Sequence, residues 1–194
     1  MPSQAIDGQG LDRSGAEAFD IEMLMEMKVW FLPRSEDITY IALLLALSGL
    51  FFLPVIVHPH GLIYPTYSPY SDLTVIHWPN AFLAARTFRE QGQLPLWKPV
   101  SLSGAPAISN QLAMLFYPPN LLFLFLPINV VFNLFFIIHI FLAGAGLYLF
   151  MRHGLAASRP ASLVTALAFA FTGKLLAHVA GGHVSMVGAL AWLP

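Results

Sequence analysis

The segment NLLFLFLPINVVFNLFFIIHIFLAGAGLYLF, residues 120–150, carries no charged residue and decides the class of fold. It is longer than the roughly 20 residues that cross a bilayer as an upright helix. Pro127 divides it, because a proline inside a helix removes a backbone hydrogen bond. We therefore predict a short membrane-associated helix over 113–127 and a full transmembrane helix over 128–150.

The composition of the whole chain agrees with a membrane environment. Of its 194 residues, 57% are hydrophobic and 10% are charged, with a mean hydropathy of +0.70. Soluble domains carry about 25% charged residues, so the composition predicts an all-α polytopic membrane protein. The formal net charge of -1 argues against a nucleic-acid partner, which needs a basic face. The absence of cysteine excludes disulfides, thiolate metal sites and cysteine nucleophiles.

Three further stretches complete the predicted topology. Residues 38–57 are uncharged and long enough for a first transmembrane helix. Residues 161–177 predict a third, and 178–194 predict an outer turn followed by the start of a fourth. We expect about three full transmembrane helices in this chain. Because the last apolar run is too short to span, we also expect the chain to be the N-terminal part of a longer protein.

The orientation follows from the short loop at 151–160. It carries Arg152 and Arg159, and positively charged short loops stay on the cytoplasmic side. This hairpin is therefore predicted to be cytoplasmic, which places the N-terminus in the cytoplasm as well. The long first loop, 58–112, is then extracytoplasmic.

The N-terminal segment, 1–37, is predicted to be a cytoplasmic tail. Within it, 15–32 alternates apolar and acidic residues at helical spacing. Such a pattern indicates an amphipathic helix that lies on the membrane surface. A helix that docks on a partner is the alternative interpretation.

The first loop contains the signals of a helix of its own. Pro79 is favoured at the first position of a helix and Gly92 just after the end of one. Arg86 and Glu90 are four residues apart and are expected to form a solvated ion pair. The alternative is functional: Arg86 and Arg89 would grip the phosphate of a lipid-linked substrate.

Asp72 is the isolated acidic residue of this loop, because after Asp37 the chain contains only Asp72 and Glu90 as carboxylates. One interpretation is the N-cap of a helix. The other is a carboxylate at the outer membrane surface that acts as a general base or binds a divalent metal. His77 follows closely enough to share this site.

The order of short motifs along 38–194 resembles the YfhO-like bacterial membrane proteins, which are similar to the GT-C superfamily of polytopic glycosyltransferases. The motifs are YSD (70–72), HWP (77–79), GQLPLW (92–97), SGAP (103–106), NQ (110–111), FYPPN (116–120), GH (182–183) and AWLP (191–194).

The resemblance implies an enzyme of the bacterial cytoplasmic membrane. It would take a sugar from a polyprenyl-phosphate carrier and add it to an extracytoplasmic glycan or envelope acceptor, in contact with membrane lipids. Asp72 matches the acidic residue of the first outer loop that acts as the base, or binds Mg²⁺ or Mn²⁺, in such enzymes. The candidate substrate-binding residues are His77, Arg86, Arg89, Trp97, Lys98, Gln111 and His183.

Two other functions fit the same residues. A transporter or flippase subunit for lipid-linked glycans would move its substrate without forming a glycosidic bond. A structural or assembly protein would use the loop to dock a partner, and Asp72 would then serve only as a cap.

Overall fold

Helices dominate the computed structural model, which describes residues 34–62, 70–99 and 103–194. The predicted surface helix over 15–32 lies outside the described residues. Ser35–Pro194 forms one compact unit.

The first apolar segment forms two consecutive helices. Helix α1 spans Ser35–Phe51 and helix α2 spans Leu53–Val57. The helix is interrupted at Phe52, shortly before Pro54, whose ring cannot donate a backbone hydrogen bond. The predicted first transmembrane helix, 38–57, is therefore helical with a break. Its 17-residue first part is shorter than an upright membrane crossing of about 20 residues.

The first loop carries a helix where the sequence predicts one. A π-helical turn, Leu73–His77, leads into helix α3, Trp78–Gln91. Gly92 ends α3 in the left-handed conformation. The chain then forms a small antiparallel ladder between β1, Trp97–Lys98, and β2, Ala105–Pro106. Two 3₁₀ segments follow, Gln111–Ala113 and Pro118–Leu124.

The short helix predicted over 113–127 is thus a 3₁₀ segment of seven residues. Two prolines, Pro118 and Pro119, stand at its start. They can begin a helical turn but cannot donate within it, which limits the regular α-helical ladder at this point.

The second half of the chain is built on one long helix, α4, Ile128–Leu149, extended by a π-helical turn to Gly154. Three shorter helices follow: α5 (Arg159–Ala170), α6 (Gly173–Gly181) and α7 (Val184–Ala191). Among the described residues, two helical stretches are long and apolar enough to cross a membrane, Ile128–Gly154 and Arg159–Gly181. The second has a short break at Phe171 and Thr172, inside the predicted third span.

The core lies around α4, which packs against α1, α5 and α7. Phe132, Phe136 and Ile140 of α4 are buried there. Leu73 and Ala81 from the first loop belong to the same buried cluster. The loop is therefore packed into the core, and its side chains have defined positions.

Two asparagines at the start of α4 fasten the loop by hydrogen bonds. Asn129 accepts a bond from the Trp78 indole at 3.0 Å and donates to the carbonyl of His60 at 2.6 Å. Asn133 donates to the carbonyl of Gly61 at 2.6 Å. These bonds tie the turn after α2 and the start of α3 to one end of α4.

Candidate functional site

The turn between α6 and α7 docks directly on the backbone of the first loop. Gly182 in this turn has φ +73°, and a Cβ placed on it would lie 2.5 Å from both the amide nitrogen and the Cβ of Leu73. A side chain at this position would therefore force the two backbones apart. The close contact brings His183 beside Asp72, which are distant in sequence.

Asp72 has a half-exposed carboxylate with one described side-chain contact. Its Oδ2 lies 3.5 Å from Nε2 of His183, and 50% of its side chain is exposed. Asp72 occupies the N-cap position of the π-helical turn, but its side chain makes no capping hydrogen bond. A different hydrogen bond is found in this turn, which the Thr74 hydroxyl donates to the carbonyl of Ser71. The N-cap interpretation of the Asp72 carboxylate is therefore wrong, and its oxygens stay accessible.

A second histidine lies behind the first. Nδ1 of His183 is 2.8 Å from Nδ1 of His178, a hydrogen bond in which one ring donates and the other accepts. One N–H···N hydrogen bond thus joins the two imidazoles, and the other nitrogen of His183 faces Asp72. His178 was absent from the predicted site residues. The sequence feature that could have indicated His178 is that it and His183 lie on either side of the Gly181-Gly182 turn.

His77 supports this cluster from the buried side. Its Nδ1 is 3.0 Å from the carbonyl oxygen of Leu112. Burial lowers the pKa of His77 below its ordinary value, although the hydrogen bond to Leu112 and the nearby Asp72 charge oppose this shift. The neutral ring donates to Leu112, which positions the 3₁₀ turn that carries Gln111. Gln111 itself is exposed.

The predicted basic residues lie elsewhere. At a rise of about 1.5 Å per helical residue, Arg86 lies roughly 20 Å from Asp72 along the axis of the helix. Arg89 lies farther along the same helix. Arg86 Nε is 2.8 Å from Oε1 of Glu90, which confirms the expected ion pair. The Lys98 ammonium donates to Oδ1 of Asn80 at 2.9 Å. The structure therefore does not place these cations around Asp72.

A second carboxylate cluster was missed altogether. Asp37 is fully buried, and its Oδ1 accepts hydrogen bonds from Tyr148 Oη at 3.0 Å, Arg152 Nε at 3.2 Å and Arg159 Nε at 3.3 Å. His153 Nε2 lies 3.9 Å from its other oxygen. In the sequence, the pattern of these arginines predicted only the topology. Their role here is to neutralise a buried carboxylate.

The polar side chains of α4 are also engaged. His139 is buried; its Nε2 lies 2.6 Å from the hydroxyl of Tyr117 and its Nδ1 lies 2.6 Å from the carbonyl of Phe135. The Trp192 indole donates to the same Tyr117 hydroxyl at 3.1 Å. This chain of bonds links the α4 helix to the C-terminal end of the described chain.

The Asp72 cluster does not fit a Mg²⁺ or Mn²⁺ site. These ions prefer oxygen ligands, yet Asp72 is the only carboxylate of the cluster and its neighbours are imidazoles. Within the part of the chain that the structure describes, no three His, Cys, Asp or Glu side chains are placed to hold a metal ion.

No protein-family model, curated protein or solved structure matches this chain.

Proposed function

We propose that this chain belongs to a polytopic membrane glycosyltransferase of GT-C type, in which Asp72 is the general base. The enzyme transfers a sugar from a polyprenyl-phosphate donor to an extracytoplasmic acceptor. The resemblance of the motif order along 38–194 supports the class of enzyme, and the observation that carries the role of Asp72 is its half-exposed, uncapped carboxylate with an imidazole pair directly behind it.

The proposed step is a proton transfer coupled to displacement. The acceptor hydroxyl gives its proton to Asp72 as its oxygen forms a bond to the anomeric carbon of the donor. The bond between that carbon and the phosphate oxygen breaks, and the polyprenyl phosphate leaves with the electron pair. A positioned base contributes about 10²–10⁴-fold to such a step. Asp72 is suited to it because substrate can reach its oxygens.

The two histidines restore the base after each turnover. Nε2 of His183 faces the Asp72 carboxylate, and its Nδ1 shares a hydrogen bond with His178. A proton taken up by Asp72 passes to Nε2 of His183, while the Nδ1 proton moves toward His178. The pair therefore carries the proton from the acceptor hydroxyl away from the reacting atoms.

The membrane placement is part of this proposal. We infer a multi-pass protein of the bacterial cytoplasmic membrane, with a cytoplasmic N-terminus and Asp72 on the outer side. The two long apolar helical stretches support membrane insertion. The cationic hairpin with Arg152 and Arg159 supports the orientation, since short positively charged loops stay in the cytoplasm.

Replacement of Asp72 tests the function directly. The full-length protein is reconstituted in liposomes with a radiolabelled polyprenyl-phosphate sugar, and transfer to acceptor glycan is counted. Asp72→Asn is expected to lower transfer at least about 100-fold, and Glu36→Gln, which changes an exposed carboxylate outside the site, to leave it unchanged. Wild-type transfer by Asp72→Asn refutes the base. Movement of the donor across the bilayer without a new glycosidic bond supports the transporter instead.

A further inference from the structure

A groove runs along α3, on the side that faces the segment 93–99. Its volume is about 600 Å³, within the range of about 300–1,000 Å³ that small-molecule sites occupy. Its floor is built from aromatic, proline and leucine side chains: Trp78, Pro79, Phe82, Pro95, Leu96 and Trp97. This is a site of ligand size on the helix that follows Asp72, and nothing in the proposed chemistry uses it.

Of the aromatic rings of the groove, Phe82 and Trp97 are exposed and Trp78 is half-buried, and all three are held in place. Trp78 and Phe82 stack with ring centroids 5.4 Å apart and planes only 7° from parallel. Trp97 is 55% exposed, and the β1–β2 ladder fixes its backbone. Gly104, at φ +114°, packs so closely that a Cβ there would lie 2.5 Å from the Trp97 indole. The groove therefore presents flat apolar faces whose positions are set before a ligand arrives.

The polar wall of the groove carries no net charge. Arg86 and Glu90 both line it and neutralise each other through their 2.8 Å contact. Gln91 and Gln93 also line it and are joined by a hydrogen bond of 3.1 Å. The wall thus offers many hydrogen-bond donors and acceptors but little attraction for an anion.

We propose that this groove binds a neutral oligosaccharide, the acceptor glycan of the proposed transfer. A pyranose ring has flat C–H faces that pack on aromatic rings and a rim of hydroxyls that pair with amide, guanidinium and carboxylate groups. An isoprenoid chain has no group that could pair with the remaining donors and acceptors of these side chains, which is costly once they are covered. A phosphate would need a net positive wall, and the Arg86–Glu90 pair does not supply one.

The position of the groove suits this ligand. It begins at Trp78, roughly 9 Å along the helix from Asp72, and continues toward Glu90. A glycan seated on the aromatic faces can extend its terminal hydroxyl to the Asp72 carboxylate. This link between groove and base rests on the proposed function, whereas the binding of a neutral glycan does not.

A binding experiment tests the groove separately from catalysis. The full-length protein in lipid nanodiscs is applied to an array of neutral and acidic oligosaccharides, with farnesyl phosphate as a soluble competitor. Neutral oligosaccharides are expected to bind. Trp97→Ala is expected to raise the Kd about tenfold or more, because it truncates an aromatic anchor. Trp192→Ala is the matched control, because Trp192 is also an exposed tryptophan, 69% against 55% for Trp97, but lies outside the groove.

Three results would overturn the assignment. The first is that only acidic glycans bind. The second is that farnesyl phosphate displaces the glycan and that this displacement depends on Arg86. The third is that the wild type binds no neutral glycan more tightly than Trp97→Ala does. Asp72→Asn is expected to retain glycan binding while it loses transfer. If the wild type binds neutral glycans but transfers no sugar, the proposed enzyme activity is refuted and the glycan-binding groove is retained. If it transfers sugar but binds no neutral glycan, the groove assignment is refuted and the enzyme activity is retained.

Discussion

Asp37 and Asp72 each stand at the start of a helical segment, yet their surroundings are opposite. Asp37 is fully buried and one of its oxygens accepts hydrogen bonds from a tyrosine and two arginines. Asp72 is half exposed and has a histidine contact of 3.5 Å. A buried carboxylate with its lone pairs occupied holds structure together. A carboxylate with free lone pairs beside a proton acceptor is suited to chemistry.

The largest expected effect is on the buried cluster. Asp37→Asn leaves Arg152 without its carboxylate partner at a buried position, whereas Arg159 keeps its ion pair with Glu36. Breaking a buried ion pair from one side costs about 3–5 kcal/mol. We expect thermal unfolding in detergent micelles to move to clearly lower temperature.

The same measurement on Asp72→Asn sharpens the comparison. That change is expected to alter the free energy of unfolding by less than about 0.5 kcal/mol, as exposed substitutions usually do. Equal destabilisation by the two variants would contradict the division into a structural and a chemical carboxylate.

The next effect concerns the contact that brings His183 to Asp72. Gly182→Ala places a methyl group against the Leu73 backbone in a left-handed conformation. We expect a loss of at least about 2 kcal/mol in the free energy of unfolding, together with reduced transfer.

Gly92→Ala is the matched control for this position. Gly92 also has positive φ, at +68°, but nothing lies within 4 Å of its added Cβ. It should show the conformational cost alone, about 1–2 kcal/mol, and keep full transfer. If both variants lose transfer equally, the close contact at Leu73 does not position the site.

A smaller effect is the pH dependence that His77 adds to stability. Burial lowers the pKa of His77 in the folded protein below the value near 6.5 that it has in the unfolded chain. At a pH between these two pKa values, the unfolded chain therefore binds more protons than the folded protein. Stability is then highest above about pH 6.5 and falls as the pH falls through the folded pKa. His77→Gln is expected to flatten this slope in unfolding measurements below pH 6.5. An unchanged slope would show that other groups cause it.

The smallest effect is expected for the exposed pair on α3. Arg86→Ala removes an i,i+4 ion pair whose side chains are more than half exposed. Such pairs contribute about 0.2–0.5 kcal/mol, and salt screens them. A double-mutant cycle with Glu90→Ala measures the coupling. A coupling energy near that of the Asp37 cluster would break the distinction between buried and exposed carboxylates in this protein.

Local signals in the sequence were sufficient for part of the structure. Pro79 and Gly92 marked the ends of α3, since one residue favours a helix start and the other a left-handed C-cap. The spacing of Arg86 and Glu90 predicted their ion pair, because residues four apart lie on the same helix face. Asp72 was singled out by its isolation among apolar residues; its carboxylate is half exposed, and its catalytic role stays a prediction.

Local sequence patterns did not predict the partners of the Asp37 and Asp72 carboxylates. Asp37 meets Arg152 and Arg159 across more than a hundred residues. His178 enters the Asp72 cluster only because the turn at Gly182 docks on Leu73. These contacts depend on how helices pack, and no local spacing encodes that.

The sequence by itself determined an apolar, helical chain with a polar first loop and few carboxylates, because composition and helix punctuation act locally. Only the tertiary structure decided which carboxylate is neutralised by arginines and which stays open beside a histidine pair. The reason is physical: burial and long-range hydrogen bonds set the state of a charged group, and both arise when distant segments pack together.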